Sequence, residues 1–162
     1  MSDLLSLTLV SLADLLIQRN KTLATAESCT GGGIGENLTS LAGSSKWYLG
    51  GVIAYSNAVK VNVLGVSTNT LCEFGAVSEE VAKEMALGCA ELSQADIAVS
   101  TTGIAGPGGG TDSKPVGMVC FGYFLEGAVF TETLHFEGSR QEVRQAAVEH
   151  SLTKLLDLIK SR

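Results

Sequence analysis

Two nucleophilic side chains stand side by side at Ser28 and Cys29, inside the run Glu27-Ser28-Cys29-Thr30-Gly31-Gly32-Gly33. A serine hydroxyl attacks a carbonyl at neutral pH only with a base within hydrogen-bonding reach. Histidine is the usual base, but His135 falls in a predicted strand and His150 in the middle of a predicted helix, neither beside a loop. A lysine desolvated at a pocket wall is the other option, because burial helps it lose its proton. Lys60 is the best placed. It follows Tyr55 by five residues, with Tyr55 ending a predicted strand and Lys60 in the first turn of the next element. A surface lysine and a core tyrosine are the commoner occupants of such positions, so spacing alone gives only a candidate grouping.

The elements around these residues give them a common place. Thr22 to Ala26 is a short apolar run with β-branched residues and reads as a buried strand that stops at the glycine-rich corner; a helix follows. A strand feeding a helix through glycines leaves amide N–H groups at the helix start, aimed at whatever anion or carbonyl sits above. A third strand, Asp96 to Ser100, runs into a second corner, Thr101 to Thr111, again rich in glycine. Tyr48 to Tyr55 reads as the strand between them.

The remaining chain reads as helices and a hairpin. Ser2 or Asp3 caps a helix with Leu5, Leu9, Leu12 and Leu16 on one face, ending near Arg19 to Lys21. Ser56-Asn57 caps a short helix over Val59 to Val63, although the alternating valines also fit a strand, and Ser67 to Gly75 holds a short helical piece. Ser78-Glu79-Glu80 starts a helix whose apolar face is Val81, Met85, Cys89 and Leu92. Val116 to Leu125 and Val129 to Phe136 form an antiparallel hairpin, and Ser139 with Glu142 makes a capping box for a long last helix. The expected fold is a single α/β domain over residues 1–162. It has three α/β/α layers, a mostly parallel mixed sheet and an antiparallel hairpin near the C-terminal end. Both glycine corners then fall at the carboxyl ends of strands, where such sheets bind ligands.

Composition narrows the function. A net charge of −6 argues against a broad nucleic-acid footprint or an anionic membrane surface, and 45% hydrophobic residues suit an ordinary core. The apolar run Leu4 to Ile17 contains Asp14, lacks a basic leader and is too short to span a bilayer, so a cytoplasmic protein is expected. Cys29, Cys72, Cys89 and Cys120 are scattered without CxxC spacing, which points away from a structural metal, and the last three read as small core residues. Neither corner matches GxxxxGK[ST], which weakens a kinase-like reading.

Four blocks carry a resemblance: AESCTGG at 26–32, GGVIAYSNAVK at 50–60, GAVSEEVAKEMA at 75–86 and TGIAGPGGGTDSKPVG at 102–117. In this order they resemble the CinA C-terminal domain family over nearly the whole chain. The enzymatic members of that family are nicotinamide mononucleotide deamidases of the PncC type. The resemblance implies a cofactor-independent amidohydrolase of pyridine nucleotide salvage, with Ser28 as nucleophile in preference to Cys29, and Lys60 and Tyr55 as its partners. It implies substrate contacts from Cys29, Thr30, Gly31, Gly32, Thr102, Gly103 and Gly106, with Arg144 on the substrate phosphate and Lys114 and Arg140 as weaker candidates of that kind. It also suggests a homodimer. The larger CinA proteins carry an additional N-terminal domain that these 162 residues lack, so the pyrophosphatase activity associated with it is not expected. The competing expectation is a family member that binds a nucleotide and turns nothing over.

Overall fold

The computed structural model describes residues 1–162. Five strands, β1 (Leu23–Glu27), β2 (Tyr48–Ile53), β3 (Ile97–Gly103), β4 (Met118–Leu125) and β5 (Ala128–His135), form one sheet in the order β2-β1-β3-β4-β5. β1 pairs parallel with both β2 and β3, whereas β3–β4 and β4–β5 are antiparallel. Six helices flank it: α1 (Asp3–Gln18), α2 (Gly33–Thr39), α3 (Asn57–Asn62), α4 (Thr68–Phe74), α5 (Glu79–Ser93) and α6 (Arg140–Lys160). No helix is long and apolar enough to cross a membrane.

The central parallel strand β1 is buried throughout, as expected of a strand covered on both faces. On one face Leu5, Leu9, Leu12 and Leu16 of α1 and Val143, Ala147, Leu152 and Leu155 of α6 pack with Leu23, Val99, Val119 and Phe121. On the other, small sheet residues Ala24, Ala26 and Ala98 meet Val81, Met85 and Cys89 of α5. Small residues let α5 lie close. A Cβ added to Gly122 of β4 would stand 2.4 Å from the Ala82 carbonyl oxygen.

Caps written in the sequence set the helix starts. Ser2, Ser56, Ser67, Ser78 and Ser139 each accept a hydrogen bond from a backbone amide of the first turn, and Ser139 with Glu142 completes the capping box. The ambiguous stretch after Ser56 is therefore helical. Two expectations are corrected. Cys72 is exposed on α4 rather than in the core, and Leu92 is 57% exposed near the end of α5, outside the apolar face.

Candidate active site

β1 and β3 run parallel side by side, with Glu27 opposite Thr101 and β3 continuing to Gly103, so the two glycine corners lie at the same end of the sheet. The Ser28 amide donates to the Thr101 carbonyl at 3.0 Å, and the Ala54 amide donates to the Glu27 carbonyl at 2.8 Å. Ser28 is thereby fixed between the exits of β2 and β3. Gly32 then turns the chain into α2 with φ of 99°, in the left-handed region that favours glycine.

The helix start does not wait for an outside anion. Glu27, itself buried, aims its carboxylate at that end and accepts from the amides of Ile34 (2.8 Å) and Gly35 (3.0 Å) and from the Thr30 hydroxyl (2.7 Å). It fills the position that the sequence suggested for a ligand. Its signal was an acid closing a buried strand just before the glycines. The corner amides left without a partner inside the chain are those of Cys29, Thr30 and Gly32.

β2 ends at Ile53, two residues earlier than expected, because the next carbonyls turn inward. Lys60, in the capped helix α3, reaches back under that turn. Its Nζ lies 3.0 Å from Ser28 Oγ, 2.9 Å from the Ala54 carbonyl and 3.2 Å from the Tyr55 carbonyl. The lysine is 2% exposed and has no carboxylate partner. Burial lowers its pKa from the ordinary lysine value, with a smaller opposing effect from Cys29. Once neutral, its two remaining N–H groups match the two carbonyls and its lone pair is left for the Ser28 hydroxyl. In that state the amine is able to take a proton from Ser28.

Cys29 lines the same cavity, but burial pushes its thiol up to about 12, which withholds the thiolate that would attack. Tyr55 touches Lys60 through its backbone only. Its hydroxyl instead accepts from the Arg140 guanidinium at 3.1 Å, which also donates to the Gly106 carbonyl at 2.8 Å. The cavity, of about 270 Å³, brings together Ser28, Lys60, Tyr55, Thr102, Gly106 and Arg140, with Cys29 and Gly103 also in its wall. The Thr102 hydroxyl is committed to the Ala76 carbonyl at 2.8 Å.

Arg144 lies elsewhere. Its guanidinium donates to the carbonyls of Cys29 (3.1 Å) and Thr30 (3.4 Å), bracing the first corner from outside, and lines a separate cleft with Thr30, Glu36 and Gln141. Gly31 makes room for it: an added Cβ would come within 3.1 Å of the Arg144 guanidinium. His150 pairs with Glu132 at 2.6 Å and packs at a tilt against the Phe121 ring, away from the corners. A larger open cleft of about 580 Å³ over β4 and β5 is lined by Ser78, Glu79, Lys83 and Lys114, but the Ser78 hydroxyl is spent on the Gly75 carbonyl and the Val81 amide; Cys120 is there, with its thiol raised by burial.

The wall of this cavity draws residues from all four sequence blocks, Ser28, Lys60, Ala76 and Thr102 among them. The CinA C-terminal domain family profile matches residues 8–159. The chain belongs to the CinA family. It is 52% identical over 152 residues to a CinA-like protein of Chlorobaculum tepidum, covering 91% of this chain and 36% of that one. It is 48% identical to a putative competence-damage inducible protein of Clostridium botulinum, covering 87% and 34%. The chain thus spans about a third of the length of these curated relatives. Among solved structures, a CinA superfamily protein from Klebsiella pneumoniae superposes with a TM-score of 0.94 at 37% identity, covering 99% of this chain and all of that one (100%). A competence/damage inducible protein from Agrobacterium tumefaciens gives 0.92 at 40% identity, covering 99% and 97%. The three-layer mixed-sheet fold is therefore that of the CinA superfamily.

Proposed function

We propose that the chain is an amidohydrolase that converts nicotinamide mononucleotide to nicotinic acid mononucleotide and ammonia. The Ser28–Lys60 contact of 3.0 Å carries the proposal, and the likeness of the four sequence blocks to the deamidase members of the family supplies the substrate. Neutral Lys60 takes the Ser28 proton as Oγ bonds to the carboxamide carbon. The amides of Cys29 and Thr30, which follow Ser28 and have no partner inside the chain, are the donors offered to the developing oxyanion. Lys60 then returns the proton to the departing nitrogen, ammonia leaves, and an ester on Ser28 remains. Water attacks that ester with Lys60 again as base, the acid is released and the proton goes back to Ser28. Tyr55 contributes through its carbonyl, which helps to aim the lysine.

One observation favours a second reading, a pocket that binds a nucleotide without turning it over. The three acceptors around Lys60 also match the three N–H groups of an ammonium, so a permanently charged lysine would be equally satisfied. Ammonia release from nicotinamide mononucleotide separates the two. Turnover supports the amidohydrolase; tight binding with no ammonia at any pH up to the lysine range supports the binding module.

A further inference from the structure

The Ser28 cavity has a second polar end that the nucleophile and base do not use. Arg140 opens α6 beside the mouth and ties three separate parts of the chain together: its own helix, Gly106 from the loop after β3, and the Tyr55 hydroxyl from the loop after β2. Besides Lys60, which acts as a neutral amine, it is the only basic side chain in the cavity wall, and that wall contains no aspartate or glutamate. In a chain with net charge −6, a cavity whose wall carries the Arg140 charge and no carboxylate is a local exception.

The Arg140 guanidinium is also not saturated. Its two contacts are to neutral oxygens and no salt bridge engages it, which leaves N–H groups free out of its five. Beside it, Gly108 and Gly109 line the cavity with amides that have no partner inside the chain, and a Cβ at Gly108 would meet nothing within 4 Å. Tyr55 is 60% exposed, at the open side of the cavity. Size adds a constraint: about 270 Å³ is smaller than the roughly 300 Å³ at which small-molecule pockets begin, so a mononucleotide extends to the Arg140–Tyr55 bridge or past it.

We infer that Arg140, with the Tyr55 hydroxyl and the amides of Gly108 and Gly109, forms an anion subsite at the cavity mouth that takes a phosphate monoester on the substrate. This deepens the amidohydrolase reading and rests on it for the identity of the substrate. The anion contact moves to Arg140 from Arg144, whose guanidinium is spent on the corner carbonyls. Arg144 is a positioning residue.

The test compares Arg140→Gln, Arg144→Gln and, as a charge control at the exposed end of α6, Lys160→Ala. Each variant is assayed with nicotinamide mononucleotide and with its phosphate-free riboside. Arg140→Gln should raise KM for the mononucleotide about 10- to 100-fold, the usual worth of a charge-assisted contact, with kcat little changed and the riboside unaffected. Lys160→Ala should match the parent. Equal losses on both substrates in Arg140→Gln would overturn the subsite. Calorimetric titration with ribose 5-phosphate against ribose tests it apart from turnover: the parent should bind only the phosphorylated sugar and Arg140→Gln should bind neither. Equal binding by parent and variant, or none by the parent, overturns the subsite whether or not ammonia is ever released.

Discussion

Ser28 Oγ and Lys60 Nζ lie 3.0 Å apart from positions 32 residues apart in the chain, and no carboxylate contacts either. The absence of an acid matters. A carboxylate beside Lys60 would hold its proton; two peptide carbonyls leave desolvation to dominate, and desolvation favours the neutral amine.

That sign fixes a pH dependence. Lys60 titrates below the ordinary lysine value of 10.5, so kcat/KM should rise with pH through a single group below that value and level off as it deprotonates. A flat profile, or a rise only at the pKa of a free lysine, would contradict the role. Stability follows the same group. With the folded pKa below the unfolded one, the unfolded chain binds more protons between the two values, so the contribution of Lys60 to stability increases with pH across that window. The Tm of the parent relative to Lys60→Met should therefore climb from the folded pKa toward 10.5; a constant difference would show that burial does not perturb the lysine.

Glu27 should prove a structural keystone of the corner. Glu27→Ala orphans the Ile34 and Gly35 amides and leaves the Thr30 hydroxyl only its contact with the Thr101 hydroxyl. A loss of about 2–4 kcal/mol in denaturant unfolding is expected, together with a fall in kcat, because Ser28 is the next residue. Unchanged stability would mean that water replaces the carboxylate at no cost.

The cysteines should divide by exposure. A brief treatment with iodoacetamide at neutral pH should label Cys72 and leave Cys29, with its thiol near 12, unmodified, as read by peptide mass spectrometry. Ammonia release should survive the treatment. Rapid labelling of Cys29 with loss of activity would reopen the choice of nucleophile.

Arg144→Ala should lower turnover of mononucleotide and riboside alike, roughly tenfold or more, because it loosens the Cys29 and Thr30 carbonyls that shape the corner. A loss confined to the phosphorylated substrate would return the anion contact to Arg144.

Local signals carried much of the fold. Capping serines and the leucine spacing of α1 are short-range patterns, and each leaves its mark within a few residues. The carboxyl-end placement of both corners follows from strand direction alone. The strand order β2-β1-β3-β4-β5 depends on long-range pairing and leaves no comparable local pattern. The same limit applies at the site. Lys60 was readable because Tyr55 and a cap bracket it, whereas Glu27 was hidden because its partners are backbone amides, which every residue has. The division of labour between Arg140 and Arg144 turns on four residues, about one helical turn, and on which corner each guanidinium meets. Cys72 misled because residue type alone does not fix burial, and Leu92 because helical spacing does not record which turns of a helix are covered.

The most direct test of the serine–lysine mechanism is ammonia release from nicotinamide mononucleotide by Ser28→Ala, alongside calorimetric binding of the same compound. The hydroxyl is the only atom removed, and the cavity, Lys60 and Arg140 stay in place. The expected result is binding close to that of the parent with ammonia release reduced by at least about a thousandfold, the scale on which loss of a catalytic nucleophile acts. Release at the rate of the parent would contradict the account.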